Sequence, residues 1–186
     1  MRPLLLISVI GVALLLATGV RAAAPAGLAT SADLARIALT SQDVPGFGAA
    51  ATTERFDFVP EARASYGASW QQADGEATIF IGLTVWSDAD QAHTQLARSV
   101  AGLLHGHILS QVSDLGPQGV GDEDNLTSGA VEAAASDAYS EQFRIGAVVV
   151  WIISQDPSGG GSAARVVALA HVVEGRLNAA LSQPLP

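Results

Sequence analysis

The ten residues ATIFIGLTVW, 77–86, limit the fold more than any other stretch of the chain. Ile79, Ile81, Leu83 and Val85 fall on one side of an extended strand, and Phe80 and Trp86 on the other. A strand apolar on both sides must be covered on both, which makes it central to a sheet. AYSEQFRIGAVVVWIIS, 138–154, supplies a second such strand. It reads as a hairpin in which Tyr139, Glu141 and Phe143 alternate, Ile145-Gly146 turns, and Ala147 to Ile153 is buried.

Helices are then needed as covers, and three are written in the sequence. Ser31 caps a short one from Ala32 to Thr40, stopped by Pro45 and Gly46 in SQDVPGFG. Ser87 and Asp90 form an S-x-x-D capping box for a second, which runs to about His105. Its apolar stripe is Ala89, Ala92, Leu96, Val100 and Leu103, and His93 falls near it. Ser162 caps a third, from Ala163 to about Leu181, with Val166, Leu169, Ala170, Val173, Leu177 and Ala180 on one stripe. Weaker strands fit residues 51–58, 62–72 and ILSQVSD, 108–114. The order α-β-β-β-α-β-β-β-α predicts an α+β fold, a mainly antiparallel sheet with helices packed against it.

The N-terminus opens with Arg2, continues uncharged from Leu4 to Val20, and exits through small residues. These are the three parts of a secretory signal peptide, with cleavage expected after Ala22. The alternative is an uncleaved segment that anchors the chain, because the run approaches the ~20 residues of a membrane helix. Residues 1–22 are therefore read as signal peptide, 23–30 as linker, and 31–186 as one exported domain. The location expected is secreted or extracytoplasmic, with no stable membrane span unless the signal segment is kept.

Charge and composition narrow the function. Nine basic against 18 acidic residues give a net charge of -9, every basic residue is Arg, and the seven Arg beyond the signal region are scattered. Nucleic acid is not an expected partner, since phosphate neutralisation needs clustered cations. The absence of Lys excludes a Schiff-base or P-loop lysine, and the absence of Cys excludes thiolate sites, disulfides and lipidation at cysteine.

Candidate chemistry is sparse. GVGDEDNLTSG, 119–129, gathers Asp122, Glu123 and Asp124, but an EF-hand count from Asp122 puts Leu126, Thr127 and Ala133 where ligands or glycine belong. It reads as a solvated acidic turn, with cation binding left open. Asn125-Leu126-Thr127 matches a glycosylation triplet, relevant in a eukaryotic secretory host. His105 and His107 at a helix end, with His93 earlier, lack the convergent spacing of a zinc site, so no metal is expected. No G-x-S-x-G, and no G-x-G-x-x-G following a strand, occurs, and no cofactor is expected. Trp70, Trp86, Trp151, Tyr66 and Phe80 are the candidate lining of a ligand pocket, with core packing as the competing role.

Five landmarks together resemble a known group. LTSQDVPGF (39–47), VWSDADQAHTQL (85–96), GPQGVGDED (116–124), FRIGAVVVWI (143–152) and RVVALAHVVEGRL (165–177) are similar to exported α/β domains of Gram-positive and related bacteria. These include extracellular sensor domains of mycobacterial Ser/Thr kinases and related small lipoproteins. The resemblance implies a two- or three-layer sandwich, with the PsbP/Mog1 fold as one form, and a role in sensing or protein interaction. The chain departs from the group in having neither a kinase domain nor a lipobox cysteine. The expected function is a non-enzymatic exported binding, sensor-like or protein-interaction domain of the bacterial envelope. Its partner would be an unknown small molecule or envelope protein. The alternatives are an exported hydrolase using an acid/His pair, His93 or His107 with an Asp, and a structural accessory of an envelope assembly.

Overall fold

The computed structural model describes residues 28–54, 59–73, 77–105, 109–131, 136–156 and 162–182. The expected signal segment, most of the linker and His107 lie outside them. Leu28, at the end of the linker stretch, is already buried in the core.

Along the chain lie α1 (Ser31–Ile37), β1 (Ala51–Thr53), β2 (Ala64–Gln71), β3 (Thr78–Val85), α2 (Ala89–His105), β4 (Ser110–Gly116), β5 (Glu123–Val131), β6 (Ser136–Ile145), β7 (Val148–Asp156) and α3 (Ala163–Leu181). The seven strands form one antiparallel sheet in the order β1-β2-β3-β7-β6-β5-β4. The α+β class and the order of helices and strand groups are as the sequence predicts. β3 and β7 pair at the centre, Leu83 opposite Val150 and Ile81 opposite Ile152. They take that place because each carries a long apolar run that reaches both faces, Ile79–Leu83 in β3 and Val148–Ile153 in β7.

The two faces carry different layers. On the first, α1 and α3 close over Trp70, Ile79, Ile81, Leu83, Val150, Ile152, Leu126 and Phe143. α3 meets them with Val166, Leu169, Ala170, Val173 and Leu177, the stripe that its periodicity marks. On the second, α2 covers Phe80, Trp86, Val149 and Trp151, but only Ala92 and Leu96 of this helix are buried. The result is a three-layer sandwich with one heavily and one lightly packed helical layer.

Three expectations are corrected. Thr30, not Ser31, caps α1: its side chain accepts from the Asp33 amide while Asp33 bonds back to Thr30. Asp88, not the Ser87/Asp90 pair, caps α2, its Oδ1 accepting from the Gln91 amide at 2.9 Å. Residues 123–129, expected as part of a solvated acidic turn, belong to a full strand, Glu123–Val131, between β4 and β6. Ser162 caps α3 as expected, accepting from the Arg165 amide at 3.1 Å. The β6–β7 hairpin turns on Gly146-Ala147, and Gly146 takes φ 54° at the position where a type II′ turn favours glycine. At the open edge, β4 is interrupted by register shifts and by Gln111 at φ 51°, which blunt it as a template for further strands.

Candidate functional site

The sheet divides the five candidate aromatics. Trp70 and Tyr66, both on β2, lie on the first face, where Trp70 is 1% exposed and pairs with Ile79. Burial pushes the Tyr66 phenol up, with the Glu54 carboxylate adding to the effect. Phe80, Trp86 and Trp151 lie on the second face with Val59, Ala92 and Leu96. No single pocket can take all five. The polar tips are satisfied from within: Trp86 Nε1 donates to Thr84 Oγ1 at 2.9 Å, and Trp151 Nε1 to Ser99 Oγ at 2.6 Å. The Trp151 ring crosses Gly82 so closely that a Cβ there would stand 2.9 Å from it, which explains a glycine in a central strand. Trp86 also borders a surface concavity of about 430 Å³, shared with Glu61, Asp88, Asp90, Gln95 and Arg98.

The acidic stretch is a junction held by its own protein. Gly119 and Gly121 adopt φ 81° and 69°, folding the chain back so that the Asp122 amide donates to Arg144 O at 2.8 Å. Asp122 Oδ2 accepts from the Gly146 amide at 2.7 Å and from Arg144 Nη1 at 3.3 Å. Glu123 takes Arg144 Nη2 on one oxygen and faces His93 Nδ1 of α2 with the other, each at 2.6 Å. Asp124 accepts from the Gln118 amide. From the opposite helical layer, Glu174 of α3 accepts from the Gly121 amide at 2.8 Å and pairs with His171. The loop is therefore fastened to α2, α3 and the β6–β7 turn at once. The Arg144 guanidinium holds the Glu123 carboxyl below its usual range, against the opposing effect of burial. His171 does the same for Glu174. Among the described residues no group of three or more acids and histidines is placed to hold a metal ion.

His93 is exposed, not tucked beside the apolar stripe of α2. Its side chain is 60% accessible and that of Glu123 is 37% accessible. An acid/His pair thus exists, though Arg144 already engages its acid. His171 is exposed and bonded to Glu174.

Glu141 is the feature with the least ordinary environment. It lies on the first face of β6, opposite Leu126 on β5 and Ile152 on β7, and is fully buried. Among the described residues neither carboxyl oxygen has a hydrogen-bond donor, and a neighbouring polar group is the Asp124 carboxyl. Burial, reinforced by Asp124, pushes the Glu141 carboxyl up to about 8. The alternation of Tyr139, Glu141 and Phe143 already places this acid on the apolar side of its strand. On the other face, Gln142 is buried as well, with its side-chain carbonyl unpartnered.

No protein-family model and no curated protein matches the sequence. The fold is similar to the crystal structure of the extracellular domain of PknH from Mycobacterium tuberculosis. The TM-score is 0.59 at 11% identity, over 84% of this chain and 98% of that one. The two share a fold, in agreement with the resemblance drawn from the sequence.

Proposed function

We propose that the chain is a non-enzymatic recognition domain of the bacterial cell envelope, acting outside the cytoplasm in a sensor-like or protein-interaction role. The observation that carries this reading is the fold likeness to an extracellular domain over nearly that domain's whole length. One further feature supports it: the polar groups of the acidic stretch are spent on holding the loop, which suits a scaffold better than a reaction centre. A small ligand would enter the concavity beside Trp86, whose three acids and Arg98 favour a polar, net cationic molecule.

The second reading, a hydrolase, rests on the His93–Glu123 contact at 2.6 Å. One experiment separates the two. The full chain is screened by thermal shift and by NMR against envelope glycans, lipid headgroups and small amines, and in parallel against chromogenic ester, amide and phosphoester probes. Amide perturbations clustered around Trp86 and Arg98 support recognition. Turnover that disappears in both His93→Ala and Glu123→Gln replaces it with the hydrolase. If neither signal appears, the small-ligand form of the recognition reading is withdrawn.

A further inference from the structure

A carboxyl buried without a donor is costly in its charged form, so the protein must either neutralise it or move it. We propose that Glu141 and Asp124 form a proton-binding pair that ties β5 to β6 while Glu141 is protonated and loosens β5 and its acidic loop when Glu141 ionises. The inference stands apart from the recognition role proposed above.

The geometry supplies both states. Glu141 and Asp124 lie on the same face of adjacent strands, since Leu126 pairs with Glu141 and Asp124 with Phe143. A protonated Glu141 donates its O–H to the Asp124 carboxylate, and this satisfies a group that otherwise has no partner. Loss of that proton to solvent leaves two carboxylates side by side among Leu126, Phe143 and Ile152, where repulsion is poorly screened. Burial already favours the neutral form, with the carboxyl pushed up to about 8.

Among the described residues no other charge offsets the ionised state. On β6, Arg144 turns to the second face and is engaged by Glu123 and Asp122, while Asp137 and Tyr139 lie toward the other end of the strand. On β5, Glu123 also faces the second side, toward His93 of α2. β7 places Ile152 opposite Glu141, and its Asp156 lies at the far end beside Arg165. α3 contributes Glu174 and His171, paired together, and Arg176, held by Asp43 and the Ala38 carbonyl. α1 brings Asp33 and Arg36, which pair with each other. The other titratable groups of α2 (Asp90, Arg98 and His105) belong to the layer across the sheet.

The pair is also wired to the loop. Asp124 holds the Gln118 amide, and Gly121, three residues on, is held by Glu174. A shift of Asp124 therefore reaches both the loop and α3. The sign follows from linkage: a raised acid stabilises the fold below its unfolded value of about 4.5, and this contribution is lost as pH climbs toward about 8. Within that window the unfolding equilibrium constant rises by up to about tenfold per pH unit on account of this group.

The test is NMR on the full chain between pH 5 and 9.5, following glutamate carboxyl carbons and backbone amides together. One glutamate should titrate near 8 and vanish from the spectrum of Glu141→Gln. Amides of residues 118–131 should move with the same midpoint in the wild type and stay fixed in the variant. The proposal is overturned if every carboxyl titrates below about pH 6. It is equally overturned if the midpoint is high but the accompanying shifts stop at residues 140–142. Should Glu141→Gln fail to fold, Asp124→Asn decides: its Glu141 midpoint must fall, and an unchanged midpoint rules out the pair.

Discussion

Gly121→Ala should damage the fold far more than Gly119→Ala, although the two glycines are two residues apart and both have positive φ. A left-handed conformation costs an alanine roughly 1–2 kcal/mol at either site. At Gly119 that is the whole cost, because a Cβ there meets nothing within 4 Å. At Gly121 the added carbon would stand 2.5 Å from Arg144 O and 3.1 Å from the Phe143 ring. The carbonyl belongs to the β6 backbone and cannot swing aside, so the loop must back away. Doing so stretches the Asp122 amide bond to Arg144 O and the Gly121 amide bond to Glu174, each 2.8 Å long. A neutral hydrogen bond contributes about 1 kcal/mol and one to a charged group about 1.5–3. The expected loss is roughly 3–5 kcal/mol for Gly121→Ala against roughly 1–2 for Gly119→Ala. Urea unfolding at neutral pH, followed by far-UV circular dichroism, measures both. Equal losses within about 0.5 kcal/mol would refute the close fastening of the loop to β6 and α3.

Three further outcomes follow from other contacts. Gly82→Ala crowds the Trp151 ring at 2.9 Å and strains its bond to Ser99, so it should cost roughly 1–3 kcal/mol and shift tryptophan fluorescence. Ser162→Ala removes the α3 cap and should lower stability by about 1 kcal/mol in the same urea assay. Glu123 has a depressed folded value, so its contribution is present above its unfolded value and lost as pH falls through the folded one. Glu123→Gln should therefore lie below the wild type in melting temperature at pH 7, with the gap closing as the acid limb is approached. This slope runs opposite to that of Glu141, and scans of the two variants distinguish the groups.

Most of the frame was legible residue by residue. β3 and β7 announce themselves because an apolar residue on either side of a strand has nowhere to go but a covered interior. α3 does so because five buried positions recur at helical spacing. β5 was hidden. Glu123–Val131 is polar along the second face, with Glu123, Asn125 and Thr127, and only Leu126 enters the main core cluster. Its strand state is imposed by ladders to β4 and β6 on both sides, a non-local cause that no local period reports. The placement of the candidate aromatics likewise needed the sheet. Trp70 and Tyr66 alternate onto one face and Phe80 and Trp86 onto the other, but that division has meaning only once the register with β7 is fixed.

By itself the sequence determined the α+β class, the central strands, the three helices and the exclusion of thiol and lysine chemistry. Each of these depends on local period, capping or the absence of a residue type. Only the tertiary structure decided that the acids of GVGDEDNLTSG spend themselves on Arg144, Gly146, Gln118 and His93, and that Glu141 is enclosed beside Asp124. Ion pairing and desolvation depend on distances between segments far apart in the chain, and those distances exist only after the sheet has formed.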